Sequence, residues 1–228
     1  MKKIKVTAIL MLLLAVGIFN TAAFGFQLKD RSFFKQNLII LFDVSQDVVS
    51  CLPLLKKNLR VVKDVLSEDS LKRGHIGKVL FLTFRRGIVS EAVVDFPSRG
   101  RTNWKKVSRK SFLIFRSLFE GSYDPHTEEL ADILGAIERA VNYAKGLDNR
   151  SIILVVSPGV QQYNRRTIYE KVRLQLPEKV RKLIFLSQPF VCQNASEALK
   201  YQGFSDNVLN YWKTVIVNGK TLEFHYSY

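Results

Sequence analysis

The segment Leu38–Asp47 (LIILFDVSQD) constrains the fold of this chain more than any other part of its sequence. Five consecutive apolar residues lead directly into Asp43, which is followed at alternate positions by Ser45 and Asp47. A short, continuous apolar run is typical of a strand that is buried on both faces of a parallel sheet. Because ligands of open α/β sheets bind at the carboxyl ends of the strands, we expect a binding site beside Asp43.

The rest of the chain alternates between apolar and amphipathic segments. Buried strands are predicted at Leu38–Phe42, Lys78–Phe84, Ser151–Ser157 and Lys182–Ser187, with Ile88–Phe96 as an antiparallel edge strand. Helices are predicted at Val48–Leu66, Asn103–Phe119 (capped by Thr102), Glu128–Lys145, Arg166–Leu176 and Ala195–Gln202. Lys213–Val217 and Lys220–Tyr226 flank Asn218-Gly219, a pair that favours a hairpin turn. This order predicts an α/β fold, with a doubly wound, mostly parallel sheet, one antiparallel edge strand, helices on both faces and a C-terminal β-hairpin.

The N-terminus has the composition of a secretory signal peptide. Three lysines precede the apolar run Val6–Phe19, and small residues follow it around Ala23. The run has 14 residues, which is short for a membrane span. We expect a signal peptide at 1–25, a lead-in at 26–35, one domain at 36–212 and the hairpin extension at 213–228. The chain is thus predicted to be exported, periplasmic or secreted; the alternative is a membrane anchor formed by residues 6–26.

The chain is strongly basic, with a formal net charge of +15, and removal of residues 1–25 would leave +12. This balance favours anionic partners, such as an acidic protein or surface ligand, or peripheral contact with an anionic membrane. The alternative is a solvated basic surface without a specific partner. Aromatic residues do not alternate with the basic pairs, so a specific nucleic-acid partner is not expected.

The chain has two cysteines, Cys51 and Cys192. In an oxidising compartment they could form one disulfide. Cys51 also falls within an apolar helical pattern, where a buried free thiol is the alternative.

The oxygen-bearing side chains after the first strand allow two interpretations. Carboxylate and hydroxyl oxygens at Asp43, Ser45 and Asp47 are ligands that suit Mg²⁺ or Ca²⁺. Alternatively, Ser45 or Asp47 caps the following helix. Asp43 is harder to explain by capping, because a carboxylate after five apolar residues needs a cation or several donors to offset its desolvation.

This arrangement resembles the von Willebrand factor type A family over about residues 36–212. The family's Asp-x-Ser-x-Ser metal motif corresponds here to Asp43-x-Ser45-x-Asp47, and the family's loop threonine corresponds to Thr127 in Thr127-Glu128-Glu129-Leu130. The family's strand ending in Thr/Ser-Asp-Gly reads Ser157-Pro158-Gly159, with Pro158 in place of the aspartate.

The resemblance implies a protein-binding or adhesion module in which a bound Mg²⁺ (or Ca²⁺ or Mn²⁺) bridges to an acidic residue of the partner. Asp43, Ser45 and Thr127 are then metal ligands, and Asp47 is a changed one. The substitution at Pro158 implies a weakened site, so the alternative is a structural or assembly subunit that binds no metal. A hydrolase on the same sheet is the least favoured alternative, because the sequence has no Gly-x-Ser-x-Gly nucleophile elbow and pairs no nucleophile with a base. The absence of a glycine-rich phosphate loop after the first strand disfavours nucleotide binding.

Overall fold

The computed structural model describes residues 35–96, 102–159, 162–163, 166–167, 173–186, 207–217 and 222–225. The predicted signal peptide, all of the predicted lead-in except residue 35, and the predicted helix Ala195–Gln202 lie outside these residues. None of the helices within them combines the length and apolar composition needed to cross a bilayer.

A six-stranded sheet forms the centre of the described structure. Its strands are β1 (Gln36–Asp43), β2 (Ile76–Phe84), β3 (Ile88–Asp95), β4 (Ser151–Val156), β7 (Val180–Phe185) and β8 (Leu222–Phe224), while β5 (Gln162–Tyr163) and β6 (Arg166–Thr167) form a separate pair. The strand order in the sheet is β3-β2-β1-β4-β7-β8. β3 pairs antiparallel with β2 at one edge, and every other pairing in this sheet is parallel. The predicted α/β fold class is therefore confirmed.

Helices cover both faces of the sheet, because the side chains of each central strand point alternately to the two faces. Leu38, Ile40 and Phe42 of β1 pack in a core beneath the helices of one face, whereas Ile39 and Leu41 pack in a second core on the other. The first face carries α1 (Gln46–Val49), α2 (Leu52–Val65), α3 (Glu68–Arg73) and α4 (Trp104–Ser122). The second carries α5 (Ile133–Gly146) and α6 (residues 207–215).

The helix boundaries differ from the predicted ones where polar side chains cap the backbone. Asn103, rather than Thr102, caps α4, because its Oδ1 accepts a hydrogen bond from Lys106 N (3.0 Å). α5 begins at Ile133 rather than Glu128, because Asp132 Oδ1 accepts from Gly135 N (3.0 Å). The single helix predicted over Val48–Leu66 is interrupted at Cys51, between α1 and α2.

Two predictions in the C-terminal third are wrong. The hairpin does not form: residues 213–215 end α6, and β8 pairs in parallel with β7 instead of folding back on Lys213–Val217. The spacing of buried Val208, Trp212 and Val215 explains this, since it places all three on the face of a helix that meets the sheet. The helix predicted over Arg166–Leu176 is also wrong, because Arg166–Thr167 forms β6 and Leu174 bridges to Ile216.

Candidate functional site

Asp43 ends β1 and lies near the middle of the sheet's carboxyl edge, because β1 runs between β2 and β4. Its side chain is buried, at 1% exposure. Val44 N donates to Phe84 O (2.9 Å), which continues the pairing with β2 one residue past Asp43 and fixes the direction in which the chain leaves the sheet. The carboxylate predicted from the sequence to mark a site therefore lies at the edge where α/β sheets bind ligands.

Two hydrogen bonds hold the Asp43 carboxylate. Oδ1 accepts from Ser45 N at 2.8 Å, and Oδ2 accepts from Ser157 Oγ at 2.7 Å. Ser157 directly follows β4, the strand beside β1, so its hydroxyl reaches the same edge. In the sequence, Ser157 stands out only as part of the Ser157-Pro158-Gly159 motif that lacks an aspartate. The signal that could have identified it is a hydroxyl placed directly after a buried strand.

Burial raises the pKa of Asp43 to about 6, because the ionised form loses its hydration in the interior. Hydrogen bonds from Ser45 and Ser157 oppose this shift, while the negative charge of Asp47 adds to it. None of the described lysines and arginines forms an ion pair with Asp43. The site therefore holds a buried carboxylate at Asp43, on which the negative charge of Asp47 also acts.

Ser45 is fully buried, and its Oγ lies close enough to the Asp43 carboxylate to lower the pKa of that group, but it makes no hydrogen bond of normal geometry in the described part of the chain. Ser45 occupies the N-cap position of α1, yet its side chain makes no capping bond. The capping alternative thus fails for this hydroxyl, although Asp47 in the first turn still complements the helix dipole. The Ser45 hydroxyl therefore lies beside Asp43 with acceptor capacity that is not used by the helix, which is compatible with an additional ligand at this position.

Thr127 lies in the loop before α5 and is mostly buried. Its Oγ1 accepts from Glu129 N at 3.2 Å. Glu129 O in turn accepts from Gln46 N at 2.8 Å, which attaches this loop to the start of α1. The structure therefore brings the Thr127 loop next to the Asp43–Asp47 turn, while the Thr127 hydroxyl itself is engaged within its own loop.

Pro158 offers no side-chain ligand, and the residues around it close the site on the β4 side. Gly159 has φ +81°, a conformation that favours glycine, and its N–H donates to Ser157 Oγ at 3.2 Å. Trp212 Nε1 donates to Gly159 O at 2.7 Å, within the second core. Ser157 is thus fixed by Gly159 and Trp212 in the position from which it donates to Asp43.

Arg85 is a second residue of this edge that the sequence did not single out as a site residue. It follows β2 directly, and its Nε lies 2.5 Å from Glu129 Oε2. Arg85 O accepts from Asp132 N at 2.7 Å, so Arg85 anchors both ends of the Glu129–Asp132 segment. Its Nη1 is buried without a partner among the described residues, which leaves one strong donor of the edge unused.

The side-chain oxygen atoms at this edge are of the type that binds a hard divalent cation. Their number and arrangement would support only weak binding. Asp43 and Ser45 adjoin one another, and the charge of Asp47 acts on Asp43. Pro158 contributes no ligand. Among the described residues no group of three or more histidine, cysteine, aspartate and glutamate side chains is arranged to hold a metal ion. A cation would thus depend on two carboxylates and on hydroxyl groups, and Ca²⁺ and Mg²⁺ affinity falls with fewer charged ligands.

Cys51, at the N-cap of α2, is disulfide-bonded and nearly fully buried. Cys192, the other cysteine of the chain, lies outside the residues that the structure describes. The pairing of Cys51 with Cys192 therefore stays a prediction.

No protein-family model and no curated protein matches this chain. Among solved structures, the chain is similar to the human COPII-coat protein Sec24c, with 12% sequence identity and a TM-score of 0.43. The match covers 85% of this chain and 30% of that one, so the chain spans about a third of the length of the matched protein. The assignment of the α/β fold rests on the strand order and register given above.

Proposed function

We propose that this chain is an exported, protein-binding module of the von Willebrand A type, which recognises its ligand at the carboxyl edge of the sheet. The observation that carries the proposal is the buried, desolvated Asp43 carboxylate, set beside a buried Ser45 hydroxyl that caps no helix. Both groups lie at the edge where the sheet of an α/β protein binds ligands. A binding role is preferred to a catalytic one, because Ser157, the hydroxyl that donates to Asp43, is fully buried and also accepts a hydrogen bond from Gly159 N.

The proposed ligand mode uses a weakly bound divalent cation, Mg²⁺ in the first instance. Asp43 and Ser45 would hold the ion, with Asp47 and Thr127 as additional ligands. The ion would offset the charge of the desolvated Asp43 carboxylate, and it would offer an acidic group of the partner a position to bind. Arg85 also favours an acidic partner, because its Nη1 has no hydrogen-bond acceptor among the described residues and could donate to a carboxylate.

The second candidate is a structural or assembly subunit that works without metal. The Ser157–Asp43 hydrogen bond favours it, because this bond occupies one carboxylate oxygen from within the chain. Pro158 favours it as well, since it removes a ligand. In this case the module binds its partner through the edge itself or through its basic surface.

Thermal unfolding with and without Mg²⁺ separates the two candidates. At a Mg²⁺ concentration ten times its Kd, a cation that binds only the folded state adds about 1.4 kcal/mol of stability, so the Tm should rise by roughly 3–6 °C. Asp43→Asn should abolish the rise. Asp148→Asn, an exposed aspartate in the loop after α5, is the matched control and should keep it. A wild-type Tm that responds to none of Mg²⁺, Ca²⁺ and Mn²⁺ would favour the metal-independent subunit.

A further inference from the structure

The positive charge of the helices is concentrated on one face of the sheet. α2, α3 and α4 together carry eleven lysines and arginines against four acidic residues, whereas α5 and α6 carry three against one. α2, α3 and α4 lie over the same core, so their outer surfaces form one continuous layer, and these three helices together have a net charge of +7. The helices on the opposite face have a net charge of only +2.

α4 presents the most concentrated part of this charge. Lys105, Lys106, Arg109 and Lys110 are all exposed, and their spacing of four residues places them on one side of the helix. None of them forms an ion pair with another described residue. Leu113, one turn further along the same side, is 53% exposed.

This arrangement works against the stability of α4 itself. The first turn contains Lys105 and Lys106 and no acidic residue, so its charge opposes the positive end of the helix dipole. The pairs Lys105/Arg109 and Lys106/Lys110 also place like charges four residues apart, which destabilises a helix. The stability of α4 therefore does not account for the four cations Lys105, Lys106, Arg109 and Lys110. Attraction to an external anionic partner does account for them.

We propose that the outer face of α4, extended by the cations of α2 and α3, docks on the surface of an anionic lipid bilayer. Lysine and arginine side chains are attracted to acidic headgroups, and an exposed leucine among them can enter the interface. The outer side of α4 carries no fully exposed aromatic ring on which a nucleic-acid base could stack. This proposal does not depend on a metal at Asp43.

Vesicle co-sedimentation of the full chain tests the proposal. The vesicles contain phosphatidylcholine with about 30% phosphatidylglycerol, or phosphatidylcholine alone, in about 0.1 M salt. Neutral vesicles measure any contribution from the apolar run Val6–Phe19, which every variant shares. Lys106→Gln/Lys110→Gln should weaken binding to the anionic vesicles by about thirty-fold, the effect expected for two cations at such a surface.

The matched control removes the same charge from the other face of the sheet, in Lys145→Gln/Lys213→Gln on α5 and α6. This variant should bind the anionic vesicles within a few-fold of wild type. Leu113→Ser should weaken vesicle binding and leave binding to a DNA duplex or to polyglutamate unchanged. The proposal is overturned if wild type prefers neutral vesicles or binds both kinds equally, or if the two double variants bind alike. Tighter binding to DNA or polyglutamate than to the anionic vesicles would also overturn it and identify a polyanion as the partner.

Discussion

The buried carboxylate of Asp43 should make the stability of the protein depend on pH in an unusual direction. Its pKa is about 6 in the folded chain and 3.8 in an unfolded one. As the pH falls below about 6, the folded state binds a proton that the unfolded state does not, so this group makes folding more favourable. This gain in the free energy of unfolding grows until the pH approaches 3.8, and it stays constant at lower pH. A shift of about two pKa units corresponds to about 3 kcal/mol.

Asp43→Asn removes the titrating group while its amide can still accept from Ser45 N and donate to the Ser157 hydroxyl. Urea unfolding of both proteins at several pH values between about 7 and about 4, with a metal chelator, gives the difference in their free energies of unfolding. The difference in the free energies of unfolding should shift in favour of wild type by about 2 kcal/mol between pH 7 and pH 4, most of the full effect. Shifts of other groups, such as the raised pKa of Asp64, cancel in the difference.

Asp148→Asn serves as the control, because Asp148 is exposed and its replacement should leave the difference flat within about 0.5 kcal/mol. If the difference between wild type and Asp43→Asn does not change between pH 7 and pH 4, Asp43 has an ordinary pKa. In that case the desolvation of the Asp43 carboxylate would give no reason to expect a bound cation.

Three substitutions test the packing that holds the site. Ser157→Ala removes a donor to the Asp43 carboxylate and should lower the free energy of unfolding by about 2 kcal/mol at pH 7, measured in urea; no loss would contradict the bond. Trp212→Phe leaves Gly159 O without its donor and should lower the free energy of unfolding in urea by about 1–3 kcal/mol. An unchanged unfolding midpoint would show that this hydrogen bond is dispensable. Phe115→Ala opens a cavity against Phe42, whose ring centroid is 5.2 Å away, and should lower the free energy of unfolding by about 3–5 kcal/mol in a calorimetric melt; a loss below about 1 kcal/mol would argue against that packing.

The sequence predicts the sheet well, because its strands are buried on both faces and so appear as continuous apolar runs. β1 and β4 are buried along their whole length, whereas the edge strand β3 is mostly half-buried or exposed. The position of Asp43 follows from the end of β1 for the same reason.

The end of the chain could not be predicted from local signals. Asn218-Gly219 favours a turn between two strands, but burial of Trp212 and Val215 against the sheet makes residues 213–215 helical. The sequence contains the helical spacing, yet it does not state which face of that segment the sheet will cover. Tertiary burial therefore decided between two local patterns that were both present.

The site was predictable in part. Asp43 and Ser45 follow from their place after an apolar strand, but the bond from Ser157 depends on β4 lying beside β1, 114 residues away. The start of α5 was misplaced for a similar reason. Glu129 O accepts from Gln46 N and Asp132 N donates to Arg85 O, and these long-range bonds hold that segment outside the helix.

Binding of Mn²⁺, followed by the electron paramagnetic resonance signal of the free ion, shows whether the end of β1 holds a divalent cation. We expect one Mn²⁺ per chain, displaced by Mg²⁺, lost in Asp43→Asn and retained in Asp148→Asn. Mn²⁺ that stays free at millimolar concentration, or that binds equally well to Asp43→Asn, would contradict a cation site at the end of β1.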